Sequence, residues 1–263
     1  MKLSIVVPVY NEEESIELFI KEVDDKTEKL PLDKTFYFVN DGSTDRTLMM
    51  IKELSEKRMD IKYISFSRNF GKEAALLAGL EVSDGDFVTI MDFDLQDPPE
   101  MLNEMFIKIN EGYDVVGTRR INREGEPYIR SFFSTLFYKI INRISKTKIV
   151  DGARDYRLMT RQVVNSILRL QENNRFSKGL FSWVGYKVFY LDYTNRERTT
   201  GQTSWSFWSL LRYSVDGFIN LSELPLNIAT FIGILCFFSS IILSLFYILK
   251  TIIWGDDVQG FPT

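Results

Sequence analysis

The sequence predicts an α/β domain with a mostly parallel sheet and helices on both faces, followed by a helix that crosses a membrane. Short apolar runs of strand character alternate with helical runs along the N-terminal half, and a long uncharged apolar run lies near the C-terminus. Strands that are separated by helices of this length form a parallel sheet covered on both faces. These two observations define the predicted architecture.

The predicted elements follow from hydrophobic periodicity and from turn residues. Strands are predicted at residues 3–9, 35–39, 61–65 and 87–91. Helices are predicted at residues 12–29 and 45–58, and a third begins with residues 72–79. Residues 131–145 are aromatic, basic and helical in pattern, and residues 192–205 have the composition of a polar loop. Residues 207–221 have the spacing of an amphipathic helix that lies at a membrane surface. A helix packed on the catalytic domain is the alternative, and the two are compatible.

Residues 228–249 carry no charge, and at ~1.5 Å per residue they can cross a hydrocarbon core of about 30 Å. A buried helix of a soluble domain is the alternative, but the run is apolar on every face, which favours the membrane. The N-terminus lacks the layout of a signal peptide. Arginines precede the span and Asp256 and Asp257 follow it, so the positive-inside rule places the N-terminal domain in the cytoplasm.

Composition limits the chemistry. The 263 residues include no histidine, which excludes histidine-ligated metal sites and leaves Asp, Glu, Lys, Tyr or the one cysteine as acid or base. A hard cation with oxygen ligands remains possible. The net charge of −4 argues against a nucleic-acid partner. Cys236 lies in the apolar run, so there is no disulfide framework, as is common in a reducing compartment.

Polar segments follow each of the four predicted strands. Ligands of parallel α/β sheets bind beyond the carboxyl ends of the strands, so these segments mark the candidate site. They are Tyr10-Asn11-Glu12, Asn40-Asp41-Gly42-Ser43, Ser67-Arg68-Asn69 and Asp92-Phe93-Asp94.

The segment after the fourth strand is the most informative. Two carboxylates two positions apart, Asp92 and Asp94, can direct oxygens at one Mg²⁺ or Mn²⁺ and leave room for a diphosphate. A solvated turn is the usual alternative for an isolated Asp-x-Asp. Here the pair follows a buried-strand pattern and precedes Pro98-Pro99-Glu100, a good helix start, so the metal site is favoured.

An ordered set of motifs resembles glycosyltransferase family 2, whose Rossmann-like fold is called GT-A. The resemblance is closest to the polyprenyl-phosphate branch, which includes dolichol-phosphate mannose synthases and bactoprenol-phosphate glucosyl- and N-acetylglucosaminyltransferases. It covers essentially the whole chain. The motifs include the four polar segments above. They are Val7–Glu12, Val39–Asp45, Phe66–Lys72, Asp92–Glu100, Gly117–Arg120, Asp155–Met159, Arg175–Gly179 and Arg198–Gly201.

The resemblance implies a nucleotide-sugar pocket. In it, Asp41 would bind the base, usually uracil in bacterial relatives, and Arg68 and Lys72 would lie near the diphosphate. Asp41 could also cap the next helix through an Asx-turn. Asp92, Asp94 and Gln96 would hold Mg²⁺ or Mn²⁺. The remaining residues assigned to the pocket are Pro8, Tyr10, Asn11, Glu12 and Ser43.

The acceptor would be a polyprenyl phosphate, whose phosphate needs fixed cations, preferably guanidinium groups. The resemblance assigns this role to Arg119, Arg130 and Ser134. Arg123 belongs to the same basic segment, which could also merely attract anionic lipid headgroups.

Asp155 matches a carboxylate proposed as the catalytic base. A phosphate monoester has a second pKa of about 6, so it is largely ionised without a base, and Asp155 could instead orient the acceptor or bind a sugar hydroxyl. Arg198 and Gly201 match a loop that closes over the donor. Relatives usually carry lysine three residues after that glycine, and this chain has Ser204, so Arg196 or Arg198 could serve instead.

The implied function is inverting transfer of a hexose or N-acetylhexosamine from a UDP-sugar to polyprenyl phosphate at the cytoplasmic face of the bacterial inner membrane. A membrane-tethered nucleotide-sugar-binding protein and a transferase with a non-lipid glycan acceptor are the alternatives. The resemblance also implies a homo-oligomer and a flippase for the lipid-linked product.

The domain organisation follows from the same patterns. Residues 1–195 are predicted to form the catalytic domain, 196–224 the active-site loop with the amphipathic juxtamembrane helix, 225–250 the transmembrane helix and 251–263 an outer loop. The relatives usually have a second transmembrane helix, so we expect the natural chain to continue past Thr263.

Overall fold

The computed structural model describes residues 1–121, 138–143, 145, 147–172, 175–194, 215, 219 and 222–255. The chain divides into two compact units, Met1–Leu221 and Ser222–Thr263, and each is described by itself.

The first unit is built on a seven-stranded sheet in the order β3-β2-β1-β4-β6-β5-β7. Strand β6 is antiparallel to its neighbours β4 and β5, and the other pairs of described strands are parallel. The sheet is therefore mostly parallel, as predicted. The strands are β1 Lys2–Val9, β2 Asp33–Asn40, β3 Ile61–Ser65, β4 Phe87–Ile90, β5 Val115–Arg120, β6 Ala153–Thr160 and β7 Val188–Tyr193.

Helices cover both faces of the sheet. Successive residues of an inner strand point to opposite faces, and they are apolar on both faces. On one face, Phe36 and Phe38 of β2 join a core with α1, α2 and α4. On the other, Tyr37 joins a core with α3, α5 and α6. The helices are α1 Ile16–Lys26, α2 Thr47–Lys57, α3 Lys72–Val82, α4 Met101–Asn110, α5 Arg161–Leu168 and α6 Ser177–Trp183.

Two of the differences from the sequence prediction have a tertiary cause. Helix α1 begins at Ile16 rather than at residue 12. Asn11 has a φ of 54°, and the N–H groups of Glu12 and Glu13 tie this segment to the side chains of Thr47 and Asp45. Asp192 and Tyr193 belong to β7 rather than to a loop, because they pair with β5. Residues 138–143 are helical, as predicted for residues 131–145.

The second unit contains the helix α7, Leu224–Trp254, of 31 residues. Its stretch Leu226–Trp254, 29 residues long, has the length and the apolar composition to cross a membrane, and none of it is buried within the protein. The helix ends at Gly255, whose φ of 71° suits a glycine cap. Of the predicted amphipathic helix, residues 215 and 219 are described, and both are helical and exposed.

Candidate active site

The loops that follow β1 and β2 are joined by hydrogen bonds from backbone and side chains. The N–H of Asn11 donates to Ser43 Oγ at 3.0 Å, and Asn11 Oδ1 accepts from the N–H of Thr44 at 2.8 Å. Asn11 and Ser43 thus lie together at the carboxyl edge, where the sequence predicts them. Tyr10 is 42% exposed beside them, and Pro8 and Glu12 are partly buried.

Asp41 holds the loop after β3 against the turn after β2. Its carboxylate oxygens accept from the N–H groups of Phe70 at 2.7 Å and Gly71 at 2.9 Å. Burial raises the pKa of Asp41, although the two backbone N–H groups oppose that rise. Gly42 has a φ of +69°, and a Cβ on it would lie 2.3 Å from the carbonyl carbon of Arg68. The two loops therefore meet at a point that only glycine fits.

Arg68 is exposed on that loop, with its guanidinium carbon 4.6 Å from the centre of the Phe70 ring. The stacking directs the side chain along the rim of the loop. Its cation stays accessible to solvent near the carboxyl edge.

The acidic turn, defined as residues 92–97, follows β4 after Met91. Its Phe93 is buried and stacks on Phe19 of α1, with ring centroids 5.0 Å apart, so an aromatic contact anchors the turn to the core. Asp94 Oδ1 accepts from the N–H of Gln96 at 3.2 Å. Leu95 has a φ of 52°, a left-handed conformation that costs a non-glycine residue about 1–2 kcal/mol. Strain of this kind is common at functional sites.

Arg154 of β6 contacts the end of the acidic turn. It donates from Nη2 to Gln96 Oε1 and from Nε to Asp97 Oδ1, both at 3.3 Å. Asp97 is 2% exposed and also accepts from the hydroxyl of Tyr193. Burial raises the pKa of Asp97, and the charge of Arg154 opposes that rise. Gln96, a predicted metal ligand, is therefore hydrogen-bonded to a guanidinium in this structure.

Lys72 bridges two of the predicted site carboxylates. Its Nζ lies 2.6 Å from Asp92 Oδ1 and 2.7 Å from Asp155 Oδ2. Asp155 reaches this edge because β6 is antiparallel to β4, so the start of β6 lies beside the end of β4. The three side chains come from α3, from the acidic turn and from β6. We call them the carboxyl-end cluster.

Charge pairing decides the protonation of the cluster. Burial by itself would raise the pKa of Asp155, but the charges of Lys72 and Lys178 outweigh it and hold that pKa far below its usual range. Burial would lower the pKa of Lys72, but Asp155 and Asp92 raise it instead. Lys72 and Asp155 are therefore both ionised at neutral pH, and Asp155 is a weak base.

Arg119 of β5 is held by Asp192 of β7. Its Nε and Nη2 donate to the two carboxylate oxygens at 2.7 and 2.8 Å, and both side chains are about two-fifths exposed, at 41% and 42%. The forked contact fixes the plane of the guanidinium. The structure thus places Arg119 at the same edge of the sheet with a carboxylate already bound to it.

The start of α6 is tied to the start of α3. Glu73 follows Lys72. Its Oε1 and Oε2 accept from the N–H of Ser177 at 3.2 and 3.1 Å, and Oε2 also accepts from the Ser177 hydroxyl. This contact brings Lys178 of the Arg175–Gly179 motif near enough to Asp155 to lower its pKa.

Several predicted residues lie outside the described part of the chain: Arg123, Arg130, Ser134, Arg196, Arg198 and Gly201. Sequence reasoning also missed residues that the structure brings to the site, namely Glu73, Arg154, Ser177, Lys178, Asp192 and Tyr193. A signal existed for some of them. Arg154 directly precedes Asp155, and Ser177 and Lys178 belong to a motif that carried no assigned role.

Comparison with known proteins identifies the class. The model of the family described as glycosyl transferase family 2 matches residues 4–168. A mannosyltransferase from Pyrobaculum calidifontis, solved in complex with GDP-Man and Mn²⁺, superposes with a TM-score of 0.56 at 17% identity, over 83% of this chain and 63% of that one. The protein is a glycosyltransferase of family 2 with the GT-A fold.

Several relatives match over all 263 residues. A prophage bactoprenol glucosyl transferase homolog of Escherichia coli (strain K12) is 40% identical, and the match covers 100% of this chain and 86% of that protein. A bactoprenol glucosyl transferase of Shigella phage SfX is 39% identical, with the same 100% and 86% coverage. The similarity therefore includes α7 as well as the first unit, Met1–Leu221, which we call the catalytic unit.

Proposed function

We propose that this protein transfers a sugar from a UDP-sugar to polyprenyl phosphate at the cytoplasmic face of the bacterial inner membrane. The observation that carries the proposal is the similarity, over all 263 residues of this chain, to a bactoprenol glucosyl transferase and a homolog of one. Those names favour glucose as the sugar, with N-acetylglucosamine as the competing donor. The apolar α7 would hold the catalytic unit where a lipid phosphate is accessible.

The nucleotide would lie over the interlocked loops at the carboxyl edge. This edge is where α/β sheets of this kind bind their ligands. Asp41 keeps free lone pairs beyond the two N–H groups that it accepts, so it can also accept from a base N–H. The other residues proposed for the pocket are Pro8, Tyr10, Asn11, Glu12, Ser43, Arg68 and Arg198.

The oxygen ligands of the acidic turn suit a divalent metal that also binds the diphosphate of the UDP-sugar. Among the described residues no group of three or more Asp, Glu, Cys or His side chains could hold a metal ion. Asp92 and Asp94 offer two carboxylates and Gln96 a carboxamide oxygen. Mg²⁺ in nucleotide enzymes commonly takes one or two carboxylates and completes its shell with phosphates and water. Such an ion would stabilise charge on the departing UDP.

Asp155 is proposed to position Lys72 rather than to act as a general base. Its pKa is held far below its usual range, chiefly by Lys72 against the effect of burial, so it takes up a proton poorly. An acceptor phosphate with a second pKa of about 6 is already a nucleophile at neutral pH. Asp155 then holds the ammonium of Lys72 at the edge where the diphosphate would lie.

Arg119 is proposed to bind the acceptor phosphate together with Arg130 and Ser134. Asp192 holds the Arg119 guanidinium in a fixed plane. A planar guanidinium matches two oxygens of a phosphate. The half-exposed side chain leaves its remaining N–H groups open to such a ligand.

Direct attack of the acceptor phosphate on C1 of the donor inverts the anomeric configuration. An α-linked UDP-sugar should therefore give a β-linked lipid product. We would incubate the full chain with UDP-glucose, Mn²⁺ and undecaprenyl phosphate and determine the linkage by NMR. A β-linked product supports the proposal, and an α-linked one overturns single displacement. Nucleotide-sugar binding without any lipid product would favour the binding protein or a glycan acceptor instead.

The proposed orientation can be tested separately. Protease added to intact cells should spare residues 1–195, because the arginines before the span favour the cytoplasmic side. Digestion of that part in intact cells would reverse the topology. A homo-oligomer and a flippase partner stay predictions.

A further inference from the structure

A second charged cluster lies at the end of the acidic turn, and its residues carry no role in the proposed function. It consists of Asp97, Arg154 and Tyr193, and we call it the brace. Arg154 joins Gln96 and Asp97 through two hydrogen bonds of 3.3 Å. The Tyr193 hydroxyl donates to the same Asp97 oxygen. The brace thus connects the acidic turn to β6 and to β7, the edge strand of the sheet.

The burial of Asp97 shows that it does not meet a substrate directly. Its side chain is 2% exposed, against 27% for Arg154. Its second oxygen, Oδ2, is buried and has no hydrogen-bond partner among the described residues. Burying a carboxylate whose oxygens are not all hydrogen-bonded costs free energy. We therefore interpret Asp97 as a residue that fixes the local geometry.

The acidic turn needs such fixing. Leu95 holds a left-handed conformation with a φ of 52°, which the local chain does not favour. The turn is restrained at its start by the Phe93–Phe19 stack and at its end by the brace. A further tyrosine, Tyr156, donates to the carbonyl of Pro99 at 3.2 Å just beyond it. Relaxation of the strained residue would rotate Asp94 and Gln96 away from a common ligand.

We propose that Arg154, Asp97 and Tyr193 are positioning residues that orient Asp94 and Gln96 for a divalent cation bound with a nucleoside diphosphate. The inference rests on the proposed function and extends it to residues that do not contact the donor. The carboxamide oxygen of Gln96 has two lone pairs. Arg154 occupies one, which turns the other towards the ligand side of the turn.

The test measures Mn²⁺ binding rather than activity alone. Free Mn²⁺ is quantified by electron paramagnetic resonance in the presence of UDP, using the full chain in detergent. Tyr193→Phe removes only a hydroxyl, and Arg154→Lys keeps the charge but loses the fork. Each variant should weaken Mn²⁺ binding by about 10-fold or more, as is usual for residues that orient metal ligands. The transfer rate at saturating Mn²⁺ should return towards the wild-type value.

Matched controls exist at the other end of the sheet. Tyr37→Phe removes a hydroxyl that donates to Asp84 at 2.8 Å, and Arg161→Lys removes a fork that donates to the carbonyl of Gly85. Both controls should bind Mn²⁺ as the wild type does.

The outcomes separate the inference from the proposed function. Wild-type Mn²⁺ affinity in a folded Tyr193→Phe variant would overturn the positioning role, and this variant decides the matter if Arg154→Lys fails to fold. An equal loss of affinity in the controls would also overturn it, because the effect would then be general. A wild-type chain that binds no Mn²⁺ with UDP would overturn the proposed metal site and this inference together.

Discussion

Two lysines of the catalytic unit each bridge two acidic or phenolic groups, at opposite ends of the sheet. In the carboxyl-end cluster, Lys72 lies 2.6 Å from Asp92 and 2.7 Å from Asp155. In the cluster at the other end, Lys62 lies 3.0 Å from the Tyr37 hydroxyl and 3.6 Å from Asp84. We call the latter the amino-end cluster. Helix α3 runs between them, from Lys72 to a point just before Asp84.

The two clusters share their chemistry and differ in burial. The side chains of Lys62 and Asp84 are 49% and 52% exposed, whereas those of Lys72, Asp92 and Asp155 are 31%, 21% and 16% exposed. Water screens the first pair, so its contribution to stability is small. The second cluster holds one cation between two poorly solvated anions, where removal of a partner is costly. The charged groups of the carboxyl-end cluster are costly to bury, so we infer that their function explains why the protein keeps them.

The largest expected effect separates the clusters by activity. Asp94→Asn should lower the transfer rate by about 10³-fold, because the loss of a metal ligand removes several kcal/mol of charge stabilisation from the transition state. Asp84→Asn, a matched change at the amino-end cluster, should leave the rate within about twofold of wild type. Transfer is measured at saturating UDP-glucose and Mn²⁺. Wild-type turnover by Asp94→Asn would defeat the metal assignment.

The second prediction separates the clusters by stability. Lys72→Met leaves Asp92 and Asp155 without their shared cation and should lower the free energy of unfolding by about 2–3 kcal/mol, somewhat less than a fully buried pair would. Lys62→Met should change it by about 0.5 kcal/mol or less. Urea denaturation of the two variants gives both values. Equal losses would mean that burial does not distinguish the clusters.

The smallest effect concerns pH. The pKa of Asp155 is depressed in the folded protein, chiefly by Lys72 against burial. The unfolded chain therefore takes up the proton first as the pH falls. The stabilisation is complete above the unfolded pKa of about 4 and is lost as the pH falls below it.

Asp155→Asn removes this titration. The difference in free energy of unfolding between wild type and Asp155→Asn should be constant from about pH 7 to 5 and should shrink between about pH 4 and 3. For Asp84→Asn, whose carboxyl has its pKa lowered mainly by the Tyr37 hydroxyl, the corresponding change should be smaller because water screens the site. A difference for Asp155→Asn that grows on acidification would reverse the assigned sign.

Much of the fold could be predicted from the sequence because its signals are local. Strand β3 begins and ends where the pattern predicts, at Ile61 and Ser65. The apolar run became a helix of sufficient length to cross a membrane. The carboxyl edge was predictable as well, since parallel strands bring their ends to one side. Lys72, Asp92 and Asp155 were all expected there, and the structure brings these three together.

The start of α1 could not be predicted, because a tertiary contact overrides the local pattern. The acidic residues at 12–14 favour a helix start, but the N–H of Glu12 is bound to Thr47, 35 positions away. The same limit applies to Asp192, whose contact with Arg119 spans 73 positions. Nothing in the local sequence marks either partner.

The sequence by itself determined the family, the order of the elements, the acidic turn and the apolar helix, because each depends on residue types at short and regular spacing. Only the tertiary structure decided which charges pair and how deeply. Lys72 and Lys62 both have acidic partners far along the chain, and Tyr193 meets Asp97 across 96 positions. The contribution of such contacts to stability depends on the exclusion of water, and only the folded chain excludes water from them.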